Sequence, residues 1–497
     1  MKIQNPIIRG FYPDPSICQA EGKYYVACSS FQYFPGVPIF ESEDLINYRQ
    51  VANALTRTSQ VELHQIPSSG GVFAPTLRYH QGTFYMVTNN NTYQKNFYIT
   101  TKDITGEWSE PVFVEQEGID PSLLFDEDGR VYFTSNGSGQ NGRPCILQCE
   151  IDIETGKRLT ESIPIWSGSG GRYIESPHLY HIGQWYYLMV AEGGTEYGHM
   201  ITYARSRTPF GPFEGYPHNP VLTNRNLGGN QNFIQGIGHG DLIRDQKGND
   251  YIVCLGFRQS GIWSAYHHLG REVFLAPVFW QEDGWFTAGD QGIVTEWMEV
   301  ALEGKQSVNN DFIFDSQGIE NLRLSYLRDY HKENYLYEED RLKLRGTAVT
   351  LDQADTPTFV GVRQSEFHTT LSVKVSGRAR EAGVTFYMDE SQHYDLALVQ
   401  ENHRKFVTLQ LRIGDAGAEA GRMEIFGEET ELLVISEPEY YHFYCIVEGE
   451  RKLLGNARTK YLSSEVAGGF TGVLMGLYAV DEKENWAFFR ELNWQQG

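Results

Sequence analysis

The sequence predicts an all-β protein in two parts, a five-bladed β-propeller followed by a β-sandwich. Three observations predict it. A short motif returns five times in the first half of the 497 residues, each copy runs through a turn glycine into an aromatic-rich strand, and beyond about residue 315 alternating strands continue without the motif. Repeats of roughly 40–60 residues that each carry a β-hairpin are the mark of propeller blades. Short strands separated by turn signals, with no motif of this kind, indicate a sandwich.

The first copy is Asp14-Pro15-Ser16-Ile17. Ala74-Pro75-Thr76-Leu77, Asp120-Pro121-Ser122-Leu123, Ser176-Pro177-His178-Leu179 and, more loosely, His239-Gly240-Asp241-Leu242 follow it. The turn glycines are Gly22, Gly82, Gly129, Gly183 and Gly248, and the strands behind them carry Tyr24-Tyr25, Phe84-Tyr85, Tyr132-Phe133, Trp185-Tyr186-Tyr187 and Tyr251. Equivalent positions of every blade lie at one radius around a common axis. Asp14, Asp120, Glu175 beside Ser176, and His239 are therefore expected to meet there.

In chain order, the strand Lys23 to Ser30 is followed by an aromatic and proline-rich loop, Phe31 to Ile39, which either packs under the blade or lines a pocket. Ser42 to Tyr48 reads as a polar turn ahead of the outer strand. Phe73 precedes the axial Ala74, and packing and sugar stacking both suit it. Gly106-Glu107-Trp108 and Gly211-Pro212-Phe213 punctuate the blades alike. The polar stretch Glu303 to Asn310 reads as a linker. The expected boundaries are 1–300 for the propeller, 301–314 for the linker and 315–497 for the sandwich.

A net charge of −23 argues against nucleic acid or an anionic membrane as partner. The 13% aromatic content suits both β-structure and stacking on sugar rings. Six cysteines without zinc spacing read as buried free thiols. With no apolar run at the start of the chain, the expected location is cytoplasmic.

Aspartate before proline commonly starts a turn. If the backbone alone demanded it, however, the second copy should not carry Ala74. Carboxylates held close together repel, so at least one stays protonated near neutrality. A protonated and an ionised carboxyl are the working pair of glycoside hydrolysis.

The run Phe11 to Ser16, the Phe34-Pro35-Gly36-Val37-Pro38-Ile39 segment, Gly118 to Ser122, Glu175 to Tyr180 and Gly270-Arg271-Glu272 together resemble glycoside hydrolase family 43. The resemblance is to the β-xylosidases and α-L-arabinofuranosidases with a C-terminal sandwich, and Gly346 to Thr350 and Pro357 to Gly361 extend it into that domain. It implies that Asp14 is the general base, Glu175 the general acid and Asp120 the carboxylate that holds and tunes the acid. Arg271 and His239 would lie beside the sugar, with Phe31 and Phe73 as further substrate contacts. His239 is also readable as a supporting core histidine.

The expected reaction is inverting, exo-acting release of xylose or arabinose from short pentose-containing oligosaccharides, β-1,4-xylosidase first and α-L-arabinofuranosidase as the alternative. No cofactor is required by this chemistry, although a Ca2+ near the axis and a homo-oligomer are both compatible with it. A non-catalytic carbohydrate-binding propeller is the rival from another class, disfavoured because a lectin has no need of three converging carboxylates. No repeated sialidase box is found.

Overall fold

The motif copies sit where the chain turns into the innermost strand of successive four-stranded antiparallel sheets. The computed structural model describes residues 1–496 except 94, 140–141, 228–232, 262–263, 308–320 and 339–340. Among the described residues, five such sheets follow one another between Ser16 and Ala288, each with its strands in sequence order. Their first strands are β1 (Ser16–Ala20), β2 (Thr76–His80), β3 (Ser122–Phe125), β4 (Glu175–Ile182) and β5 (Ile234–Arg244). β1 contacts β2, β2 contacts β3, and so on to β5, which returns to β1. The inner strands thus form a closed ring. Lys2–Gln4 pairs antiparallel with Trp297–Glu299, tying the first residues to those that follow the fifth sheet.

The repeat has a backbone cause that sequence reasoning did not supply. Asp14, Asp120, Ser176 and His239 all have φ between 43° and 56°, in the left-handed region. Asp and His tolerate that region better than most residues, so the conformation itself accounts for part of the aspartate preference. The expectation that the acids lack a structural reason is corrected accordingly.

The aromatic segment after Ser30 is also corrected. Gly36–Ser42 is not a loop but the third strand of the first sheet, buried along its whole length. Val37, Ile39 and Phe40 supply the β-forming side chains that make it one. Tyr33–Phe34 pairs outside this sheet, with Tyr326–Leu327.

Beyond the ring, a seven-stranded and a six-stranded antiparallel sheet face each other as a β-sandwich. In Thr369–Gly377, Leu371, Val373 and Val375 are buried while Ser372 and Lys374 are less so, the period-two pattern of a strand with one face on a core. Gln392–Glu401 differs, being buried on both faces over most of its length. Tyr394, Leu396 and Leu398 join the core between the sheets. The opposite face of the same sheet bears Phe359, Tyr387, Leu474 and Tyr478, which pack with Phe11, Phe31, Tyr33 and Leu327. One apolar cluster therefore bridges the two parts of the chain.

Polar contacts flank it. Arg258 donates to both oxygens of Glu272 at 2.8 Å and to Glu366 at 3.0 Å, and Arg9 reaches Glu366 at 2.5 Å. Of the expected linker, Gln306 exchanges hydrogen bonds with the Gln4 backbone and Ser307 bonds Asn47, so residues up to 307 lie along the ring. Its remaining residues, 308–314, fall outside the described residues.

Arg258→Met should cost about 3–5 kcal/mol, because it strands the buried Glu272 carboxylate without its counter-charge. Denaturant unfolding checks this, and a loss below roughly 1 kcal/mol would show that Glu272 finds another partner.

Candidate active site

The left-handed turn at Asp14 aims its carboxylate into the mouth of the ring, where three groups hold it. Ser29 donates to Oδ2 at 2.5 Å and Arg271 to Oδ1 at 2.9 Å, while His239 Nδ1 stands 3.5 Å from Oδ1. Burial pushes the Asp14 carboxyl up, but Arg271, His239 and the Ser29 hydroxyl outweigh it, and the pKa lies below the usual 3.8. Asp14 is ionised at neutral pH.

Asp120 occupies the equivalent place two sheets on. Its Oδ2 accepts from both the backbone N–H and the hydroxyl of Ser176, each at 3.1 Å. Its clamp is therefore on the residue beside Glu175, which corrects the expectation that it hydrogen-bonds Glu175 itself. Ser176 Oγ lies 2.8 Å from His239 Nδ1. Since that hydroxyl donates its one proton to Asp120, His239 carries its proton on Nδ1 and donates in turn. Burial raises the Asp120 carboxyl, with Asp14 adding to the rise and His239 opposing it.

Glu175 begins β4 and lines the cavity wall. Burial comes first among the causes that lift its pKa well above 4.5, followed by repulsion from Asp120 and Asp14, with Arg271 acting the other way. The chain thus holds one ionised and one protonated carboxyl at the same opening, their titrations driven apart by their surroundings.

Arg271 ties the site together. It is buried, donates to Asp14 and to Thr195 Oγ1 at 2.8 Å, and reaches the Phe470 carbonyl at 3.2 Å. The Phe31 and Phe470 rings lie 5.7 and 5.8 Å from its guanidinium carbon, within cation–π range. Its sequence neighbour Glu272 is taken by Arg258. Phe73 stands beside Phe31 and Phe470 at centroid distances of 5.2 and 6.1 Å. All seven residues singled out in the sequence thus gather around this opening.

Glu175, Arg271 and Tyr173 share a cavity of about 460 Å3 with Thr195, Tyr197 and the segment Ser464 to Phe470 of the sandwich. That segment is clasped onto the ring. Glu465 accepts from Tyr197 at 2.6 Å and from His267, and Phe470 N donates to Ser69 Oγ at 2.8 Å. The C-terminal part therefore builds one wall of the cavity.

Sequence reasoning missed several members. Ser29 and Thr195 carry no motif. Phe470 follows Gly468-Gly469, a turn signal that says nothing of what the turn approaches. His199 is fully enclosed and donates from Nδ1 to the Gly236 carbonyl at 3.0 Å, and a Cβ on Gly238 would meet its ring at 2.2 Å. Burial pushes its pKa down to about 3, so it is neutral, with Nε2 lacking a hydrogen-bond partner.

Deeper on the axis, Arg78 grips Asp241 through both Nη atoms at 2.8 and 3.2 Å and reaches His178 Nδ1 at 2.9 Å. Ser16 and Tyr180 complete the shell of Asp241. A guanidinium thus supplies the positive charge that this axial carboxylate demands. Among the described residues no group of three His, Cys, Asp or Glu side chains is arranged to hold a metal ion.

The model of glycosyl hydrolases family 43 matches residues 3–286, and that of the β-xylosidase C-terminal concanavalin A-like domain matches residues 314–495. A non-reducing end α-L-arabinofuranosidase of Bacteroides ovatus is 38% identical, covering 96% of this chain and 91% of its own. A β-xylosidase of Bacillus subtilis is 30% identical over 98% of this chain and 97% of its own. Among solved structures, the xyloglucan PUL GH43B of Bacteroides ovatus superposes with a TM-score of 0.93 at 36% identity, covering both chains completely. The xylan β-1,4-xylosidase of Bacillus halodurans does so at 0.91 and 31% identity, over 99% of this chain and 100% of its own.

Asp120→Asn removes a negative neighbour, so Glu175 should ionise at lower pH than in the parent. Carbon NMR of labelled glutamate side chains reads this directly, and an unchanged Glu175 midpoint would mean that burial and Asp14 set it without Asp120.

Proposed function

The chain belongs to glycoside hydrolase family 43, and from that premise we propose an inverting exo-glycosidase that releases a single pentose from short xylo- or arabino-oligosaccharides. The five sheets are read as the five blades of a propeller over residues 1–300, with 301–314 as linker and 315–497 as the sandwich. β-1,4-Xylosidase is the favoured activity. The α-L-arabinofuranosidase reading rests on the Bacteroides ovatus relative, itself named for that activity.

One observation carries the proposal: Arg271 binds Asp14 at 2.9 Å and shares a cavity with the largely enclosed Glu175, an arrangement that favours an ionised Asp14 and a protonated Glu175. Asp14, ionised and held by Arg271 and Ser29, accepts a proton from a water as that water attacks the anomeric carbon. Glu175, protonated, gives its proton to the departing glycosidic oxygen. Asp120 raises Glu175 by repulsion and locks its neighbour Ser176. The working pH window opens as Asp14 ionises, below 3.8, and closes as Glu175 ionises, well above 4.5. His239 positions Asp14 and Ser176, while Arg271, Phe31 and Phe73 shape the sugar subsite. No step needs a cofactor, and a Ca2+ near the axis is compatible with this scheme.

The cavity wall from the sandwich favours cleavage at a chain end, since Phe470 closes one side where a longer substrate would pass. Six free, buried cysteines suit a reducing cytoplasm. Imported oligosaccharides, and not intact polymer, are the proposed substrates.

Asp14→Ala should lower kcat by roughly 10²–10⁴-fold on every substrate, the usual range for a general base. Glu175→Ala should do the same on xylobiose and far less on nitrophenyl xyloside or arabinofuranoside, whose leaving groups need no proton. Proton NMR of the first-formed sugar decides the stereochemistry, and release of the retained anomer would overturn the water-mediated step. The ratio of the two nitrophenyl activities decides the pentose.

Phe470→Ala should raise KM for xylobiose several-fold while leaving the pH profile in place. If KM stays put, the sandwich wall does not touch the substrate.

A further inference from the structure

Away from the Glu175 opening, the six-stranded sheet of the sandwich carries a second polar cavity on the face that meets the ring. It measures about 220 Å3 and is lined by Asp352, Glu381, His393, Asp395 and Arg412 beside the apolar Leu351 and Val480. The strand register places these groups together. Asp395 pairs with Gln410 and His393 with Arg412 across one ladder, so their side chains share a face.

Asp395 is only 6% exposed, and its two oxygens differ. Oδ2 takes His393 Nδ1 at 2.8 Å, whereas Oδ1 has no hydrogen-bond partner. A buried acceptor left unmade is costly, so a donor supplied from the cavity is favoured. Donors and acceptors alternate around the same space. Arg412 Nε and His393 Nε2 stand 3.4 and 3.5 Å from Asp352 Oδ1, and Glu381 accepts from Tyr478 at 2.6 Å.

We propose that this cavity is a second carbohydrate site, holding one neutral, monosaccharide-sized polyol such as a free pentose. The volume equals about seven waters at roughly 30 Å3 each, room for a single ring and not for a chain. Asp395 Oδ1 would accept one ligand hydroxyl, Arg412 would donate to another, and the Leu351 and Val480 side chains would lie under the C–H face. Burial pulls the His393 imidazole down, but Asp395 and Asp352 outweigh it and hold its pKa up at about 10. His393 and Arg412 are therefore both cationic beside three acids. Charge is nearly balanced, which favours a neutral ligand with many hydroxyls over a free metal cation. The site is independent of the hydrolytic opening.

Equilibrium dialysis of the full chain with labelled D-xylose and L-arabinose at millimolar concentration tests it. The quantity read is the number of sugars bound per chain. Arg412→Ala and Asp395→Asn should each lose one bound sugar relative to the parent, with nitrophenyl pentoside hydrolysis staying within twofold. Arg412 is partly exposed, so that variant decides the matter if Asp395→Asn fails to fold. An unchanged number of bound sugars in Arg412→Ala overturns the proposal. So does a soaked crystal whose cavity holds only water, or a Ca2+ titration that alone responds to the two variants.

Discussion

The contact between Arg271 and Asp14, 2.9 Å long and buried, is the interaction on which the rest of the site depends. Three carboxyl groups cannot share one opening in a poorly solvated place unless something decides which of them stays charged. Arg271 decides it for Asp14, and the same guanidinium opposes the rise of Glu175 without cancelling it. Arg271 is in turn held by groups from distant parts of the chain, Thr195 and the Phe470 carbonyl. The protonation pattern of the ring is thereby tied to the docking of the sandwich.

That docking is more than an apolar patch. Phe11, Phe31 and Tyr33 contribute to the cluster shared with the sandwich, and Phe31 also stands over Arg271. A change that loosened the interface would move the cavity wall with it. The buried Arg258, with Glu272 on its own sheet and Glu366 from the sandwich, fixes the relative placement. Ionic groups in such a position add specificity more readily than net stability, because desolvation offsets much of their attraction. The Arg78–Asp241 pair plays the corresponding part on the axis, joining the second and fifth inner strands.

The five motif copies were legible because a ring of like sheets imposes like turns, and four of the five turns need a residue that accepts positive φ. Asp14 and Asp120 serve the turn and the opening at once. Ser176 keeps the turn while Glu175, one residue earlier, carries the acid, and His239 fills the last place with a hydrogen-bonding ring. Ala74 does not appear among the left-handed residues, so the second copy is the one in which the turn makes no such demand. The aromatic segment after Ser30 misled sequence reasoning for a related reason. Proline and glycine at its start suggested a loop, while the alternating Val37, Ile39 and the following Phe40 were pulled into the sheet by their neighbours.

Sequence alone determined the all-β class, the repeated motif, the change of pattern after the ring, and the seven residues that gather at the opening. The class, the repeat and the meeting of Asp14, Asp120, Glu175 and His239 are local or periodic, properties of spacing and residue type, whereas Arg271 was expected only from the family resemblance. Tertiary structure decided what spacing cannot carry. It placed Ser464 to Phe470 against the ring nearly two hundred residues from Arg271 in sequence, buried His199 under Gly238, and gave Asp120 to Ser176 in place of Glu175. It also set the charges. The same carboxyl group is ionised in Asp14 and protonated in Glu175 because desolvation and neighbouring charge depend on position in three dimensions, which residue type does not record.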